Sequence, residues 1–120
     1  MQKFSDALKH GFEGIGYSVK TQRNFRYQLV IFCIVIIAAW FFQLTSLEFA
    51  VILALSALVL SMEIMNTAVE KTVDSFTQGK KHETAKIAKD AAAGAVVMAV
   101  LFSIAVGIII FLPHIMRLIR

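Results

Sequence analysis

A chain of 120 residues that is 58% hydrophobic, with a mean hydropathy of +0.74, carries more apolar sequence than a soluble core of that size can bury. Lipid removes the difficulty by covering apolar surface, so the composition argues for an integral membrane protein. In a soluble domain the formal charge of +4 and pI near 9.5 would suggest nucleic acid; here the basic residues flank apolar spans, which points to anionic headgroups and orientation and to no nucleic-acid partner.

The N-terminal stretch Met1–Arg26 mixes charges throughout and has no continuous apolar core, so it does not read as a signal peptide. Phe4, Leu8, Phe12, Ile15 and Val19 fall within about 80° of one another on a 3.6-residue helix, with Lys9, His10, Glu13 and Lys20 pointing away. The pattern predicts an amphipathic helix over about residues 2–21, lying on the membrane surface. A first span follows over 27–47 without a charged residue, a second over 47–69 between Glu48 and the acidic run, and a third over 91–115 with Pro113 near its end. In lipid the backbone must satisfy its own hydrogen bonds, so all three are predicted to be helices. No repeat, linker or low-complexity tract divides the chain, and one domain over 1–120 is expected. The single cysteine, Cys33, lies in an apolar run without basic neighbours and reads as packing.

Lysine and arginine set the orientation. Lys3, Lys9, Lys20, Arg23 and Arg26 precede the first span, and Lys71, Lys80, Lys81, Lys86 and Lys89 lie between the second and third. The connection between the first two spans has none, and the C-terminal end has Arg117 and Arg120. The asymmetry predicts a cytoplasmic N-terminus and 71–90 segment, and an external C-terminus.

The second span ends in "EIMNTAVEKTVD", residues 63–74. On a helix, Glu63, Asn66, Glu70 and Asp74 lie within roughly 80° and form a polar stripe about 16 Å long. Solvated charges beyond a span would account for Lys71 and Asp74. They do not account for Glu63, which sits just inside the apolar layer, where an ionisable side chain costs a few kcal/mol and marks function; a partly buried carboxylate there suits a general base. "KIAKDAAAGAV", residues 86–96, opens the third span. Lys89 and Asp90 are its last charges, and the small residues 91–95 would let this helix pack on the acidic stripe and bring Lys89 near Glu70. Carboxylates suited to Mg²⁺, lysines suited to phosphates and a base at headgroup depth suggest phosphoryl transfer to a lipid hydroxyl. Neither a Walker-type nor a protein-kinase glycine loop is present. Two rivals are a small carrier using Glu63 as its intramembrane carboxylate, which would be expected nearer the midplane among broken helices, and a pore-forming or scaffold peptide.

"EIMNTAVEKTVD" resembles the signature E-x-x-N-[ST]-A-[IV]-E-x-x-V-D of the prokaryotic diacylglycerol kinase family, "AKIAKDAAAGAVV" resembles its second block, and "QRNFRYQ" is similar to its first, usually E-R-N-F. The KDAAAGAV and RNF spellings resemble the Gram-positive branch, which phosphorylates undecaprenol; the Gram-negative branch uses diacylglycerol. The resemblance covers nearly the whole chain. It implies an all-α homotrimer of three-span protomers, each with a surface helix, in the bacterial plasma membrane, with active sites on the cytoplasmic face shared between neighbours. It implies ATP as co-substrate and Mg²⁺ as cofactor. Carried over, Glu63 is the base, Asn66 places base or substrate, and Glu70 holds the metal. Asp74, Lys89 and Asp90 lie at the nucleotide, Lys3 and His10 contact it from the surface helix, and Lys80, Lys81 and His82 from the loop. The metal-binding glutamate of the first block is Gln22 here, a weaker ligand for a hard dication; looser Mg²⁺ binding and a compensating carboxylate such as Glu13 are both compatible with that change.

Overall fold

The computed structural model describes residues 2–120, and these form four helices joined by three short breaks. α1 runs Gln2–Thr21, α2 Arg23–Phe41, α3 Ser46–Thr77 and α4 Glu83–Ile119. Each break has a local cause. Gln22 alone is extended (φ −105°, ψ 107°) between α1 and α2. Arg26 Nη1 reaches back to donate to the carbonyls of Val19 and Lys20, both at 3.0 Å, so a cation satisfies the orphan C-terminal carbonyls of α1. Ser18 and Phe25, both buried, face inward on either side of the bend.

The apolar stretch 27–47 is not one helix. α2 stops at Phe41, Gln43 takes a left-handed conformation (φ 53°), and the Gln43 and Leu44 N–H groups donate to the carbonyls of Trp40 and Ala39. This is the Schellman arrangement, made here without glycine. Thr45 then caps α3 in a reciprocal box: Glu48 N–H donates to Thr45 Oγ1 at 3.1 Å and Thr45 N–H to Glu48 Oε1 at 2.9 Å. Glu48, read in the sequence as an interfacial charge, is therefore also a capping residue.

Most of the polar segment 71–90 is helical as well. α3 continues to Thr77 and α4 begins at Glu83, leaving Gln78–His82 as the connection. Gln78 (φ 51°) and Gly79 (φ 81°) both lie in the left-handed region, and that pair of residues reverses the chain. At 32 and 37 residues, α3 and α4 extend about 48 and 56 Å, well beyond a hydrocarbon layer of about 30 Å. They pack as an antiparallel hairpin, α2 lies along α3, and α1 touches the base of α2 and α3. α2, α3 and α4 are each long and apolar enough to cross a membrane.

The inward-facing apolar residues are few, among them Phe25, Ile52, Val59, Val96, Ala99 and Ile110. Trp40 and Ile109 are 80% and 71% exposed, and many other large apolar side chains face outward along the three long helices. Their surface suits lipid rather than water. Along α4 the faces turned toward α3 are Lys89, Ala92, Val96 and Ala99, at helical spacing. Ala91, Ala93, Gly94 and Ala95 are exposed, so the run 91–95 does not act as a unit in this packing.

Candidate active site

The polar stripe of α3 is present as one face, and its two ends differ in solvation. Glu63 is 6% exposed and Thr67 8%, whereas Asn66 and Glu70 are half-buried and Asp74 is exposed. α3 holds Glu63 there because Ile52, Val59, Glu63 and Thr67 recur at helical spacing on its buried face. Thr67 Oγ1 donates back to the Glu63 carbonyl at 3.1 Å. Among the described residues no donor satisfies the Glu63 carboxylate. Asn66 Nδ2 donates to Glu70 Oε1 at 3.2 Å, while Asn66 Oδ1 is buried without a partner. A buried acceptor left open costs stability and calls for a functional reason.

Toward the connection the stripe meets lysines. Lys89 Nζ donates to Asp74 Oδ1 at 2.8 Å, and Lys86 Nζ to Asp90 Oδ2 at 2.7 Å. Lys89 is thus paired with Asp74, one turn beyond the Glu70 expected from sequence; Glu70 adds a weaker attraction. The hydrogen bond that Asp74 accepts, then its charge, raise the Lys89 ammonium above the usual lysine range, so it remains a cation. Asp90 does the same for Lys86.

Lys80, Lys81 and His82 border a hollow of about 840 Å³ with Asp74, Lys86 and Lys89. Four lysines around such an opening suit a polyanion. Lys3 and His10 do not line it. Both lie on α1, where His10 pairs with Glu13 at 3.6 Å on the exposed face. α1 meets α3 at its other end, where Lys71 Nζ stands 5.9 Å from the centre of the Tyr17 ring. Gln22 sits at the α1–α2 bend, its Nε2 donating to Thr21 Oγ1 at 3.1 Å.

Below Glu63, on the side of the apolar spans, a second cleft of about 290 Å³ opens between α2, α3 and α4. Phe32, Ile52, Val59, Leu60 and Ile104 line it, with Gln28 and Ser103 among them. Val59 and Leu60 are about one helical turn from Glu63. Along α3, Glu63 therefore lies one turn beyond the apolar cleft and about 15 Å before Val73, where the hollow with its four lysines and three carboxylates (Asp74, Glu83, Asp90) begins.

Among the described residues no three His, Cys, Asp or Glu side chains converge as a metal cage. Mg²⁺ in nucleotide sites usually takes one or two carboxylates, with phosphates and water completing the octahedron. Glu70, one of whose oxygens is engaged by Asn66, fits that donor chemistry.

Two contributors escape sequence reading. Thr67 lies one turn from Glu63 on the same face, and that spacing was a usable signal. The Tyr17–Lys71 contact joins two helices whose relative placement no local pattern encodes.

A buried glutamate one turn beyond an apolar cleft, at the start of a polar stripe that runs to a lysine-rich hollow, on helices fit to cross a membrane, is the arrangement of an enzyme that works where lipid meets water. Residues 9–111 match the family described as prokaryotic diacylglycerol kinase, and the chain belongs to that family of kinases. It is 39% identical over 113 residues to undecaprenol kinase of Bacillus subtilis (strain 168), covering 94% of this chain and 91% of that protein. It is also 39% identical over 112 residues to a diacylglycerol kinase of Synechocystis sp., covering 93% of this chain and 64% of that longer protein. A diacylglycerol kinase of Haemophilus influenzae is 29% identical over 94 residues, 78% of this chain and 79% of that one. Membership in a kinase family replaces the carrier and scaffold readings.

Proposed function

We propose that the chain transfers the γ-phosphate of ATP to the primary hydroxyl of undecaprenol, giving undecaprenyl phosphate, at the cytoplasmic face of the plasma membrane. The observation that carries the reading is Glu63, a buried residue whose carboxylate has no donor, placed on α3 one turn beyond the apolar cleft and at the start of the polar stripe that runs to the lysine-bordered hollow. The cleft takes the head-proximal part of the lipid chain and leaves the hydroxyl at Glu63. The open Asn66 Oδ1 accepts a hydrogen bond from that hydroxyl or from a water beside it. Lys89, Lys86, Lys80 and Lys81 hold the phosphate chain, with Asp74 orienting Lys89 and Asp90 orienting Lys86. His82 closes the same rim, and Lys3 and His10, which do not line it, are assigned to the nucleotide on the family resemblance alone.

The hydroxyl oxygen attacks the γ-phosphorus, its proton passes to a Glu63 carboxylate oxygen, and the bond from the γ-phosphorus to the β-bridging oxygen breaks as ADP leaves. Mg²⁺ bound through Glu70 would supply charge neutralisation on the β- and γ-phosphates. Catalysis then rests on positioning and on the proton acceptor, which is what phosphoryl transfer requires of a protein.

α1 lies on the membrane surface in this reading, supported by Phe4 and Phe12, 72% and 70% exposed on the same stripe as Leu8 and Ile15. The working assembly is a homotrimer with neighbours sharing sites, a reading that rests on the family resemblance. Diacylglycerol is the second acceptor to test, because two of the relatives above carry that name. Purified protein offered ATP with equimolar undecaprenol and diacylglycerol in mixed micelles decides the matter. Preferential label in the polyprenol is expected; preferential label in phosphatidic acid would reassign the lipid, and label in neither would remove the lipid-kinase reading.

A further inference from the structure

At the end of the α3–α4 hairpin opposite the candidate site, one imidazole meets one carboxylate. His114 Nε2 of α4 stands 3.4 Å from both Oε1 and Oε2 of Glu48 in α3. The side chains are only 14% and 28% exposed. At 3.4 Å each contact is long for an N–H···O bond, and Nε2 faces both carboxylate oxygens equally rather than aligning with one. Glu48 is also fixed from behind, since its Oε1 accepts from the Thr45 N–H. The imidazole is flanked by the Phe42 ring at 6.3 Å between centres. Other groups facing it can be named. Phe41, Phe42 and Gln43, from α2 and its turn, carry no charge, and Arg117, exposed one turn along α4, is the nearby cation. α1 packs at the other end of the bundle.

We propose that Glu48 and His114 form a pH-sensitive latch between α3 and α4, tightened when the imidazole is protonated and loosened when it is neutral. Histidine changes charge in the ordinary range of about pH 5–8 while Glu48 stays a carboxylate, so the pair alternates between an ion pair and a long contact of a carboxylate with a neutral ring. Arg117 opposes the protonated state only from an exposed position, where solvent screens it, while Glu48 is held against the ring. The latch contains no residue of the candidate site and stands whether or not the lipid assignment does.

The test is the melting temperature of the detergent-solubilised full chain, with His114→Gln, Glu48→Gln and the double variant, at about pH 5.5 and about pH 8. His114→Gln should lower Tm by several degrees at the acid pH and by little at the alkaline pH, and in the Glu48→Gln background it should have no effect at either. An equal loss at both pH values, or a loss that persists without Glu48, overturns the proposal. Should His114→Gln fail to fold, Tm of the unmodified chain and of Glu48→Gln at the same two pH values answers the same question. The gain in Tm at the acid pH should vanish in Glu48→Gln, and a gain that persists there refutes the latch.

Discussion

The two ends of the α3–α4 hairpin handle polar groups in opposite ways. At the Thr45 end, the capping box, the Schellman turn and the His114–Glu48 contact pair polar groups within the chain. At the Glu63 end, a largely buried glutamate has no donor to its carboxylate, whose oxygens keep some access, and the fully buried Asn66 Oδ1 has no partner, while lysines gather beyond them. Groups that satisfy one another stabilise a fold. Groups left open inside it cost free energy and persist where a ligand completes them. The difference separates structure from chemistry along a single pair of helices.

Apart from Glu63 itself, that contrast can be broken most severely at Glu70. Glu70→Gln should lower kcat/KM for ATP on the order of 10²-fold at limiting Mg²⁺, with partial recovery as Mg²⁺ rises, because one charged oxygen ligand is lost. A Mg²⁺ titration of activity reads this directly, and an unshifted curve removes Glu70 from the metal. Lys89→Met comes next. In the proposed site it deletes a charge-assisted contact to the phosphates, so KM for ATP should rise roughly ten- to a hundredfold, with a smaller change in KM for lipid. An increase confined to the lipid would place Lys89 elsewhere.

Gln22→Glu is the finer probe. If the first block reaches the metal in the assembled enzyme, the substitution should lower the Mg²⁺ needed for half-maximal activity a few-fold, roughly one hydrogen bond's worth of free energy. Gln22 is engaged with Thr21 at the helix bend, so an unchanged titration would assign it to the bend alone. Thr45→Ala should have the smallest kinetic effect. It removes the reciprocal cap at a cost of about 1 kcal/mol and a few degrees of Tm, and leaves kcat unaltered at temperatures where the protein is folded. A loss of kcat there would show that the two ends are coupled.

Much of this was legible in the sequence because bilayer physics is severe. Charge-free apolar runs had to be helices, and the stripe Glu63, Asn66, Glu70, Asp74 follows from helical spacing alone. The breaks were less legible. Residues 42–47 carry no charge, so the charge-free run joined them to the first span, while Gln43, Thr45 and Ser46 within it and the Thr45/Glu48 box that ends it are turn and capping signals of another kind. Residues 71–90 read as a loop because they are polar, yet a helix that leaves the bilayer keeps its backbone geometry while its surface turns polar. The pairing of Lys89 with Asp74 rather than Glu70 depends on the register of two helices across the Gln78–Gly79 reversal, which the sequence of neither helix contains.

The central claim is that the open carboxylate at Glu63 is the proton acceptor of lipid phosphorylation. Its most direct test measures kcat for γ-phosphate transfer to undecaprenol by Glu63→Gln beside the unmodified enzyme, with ATP binding and Tm determined on the same preparations. The account predicts a loss in kcat on the order of 10²–10⁴-fold with ATP affinity and Tm nearly unchanged. A near-native kcat in Glu63→Gln would contradict it.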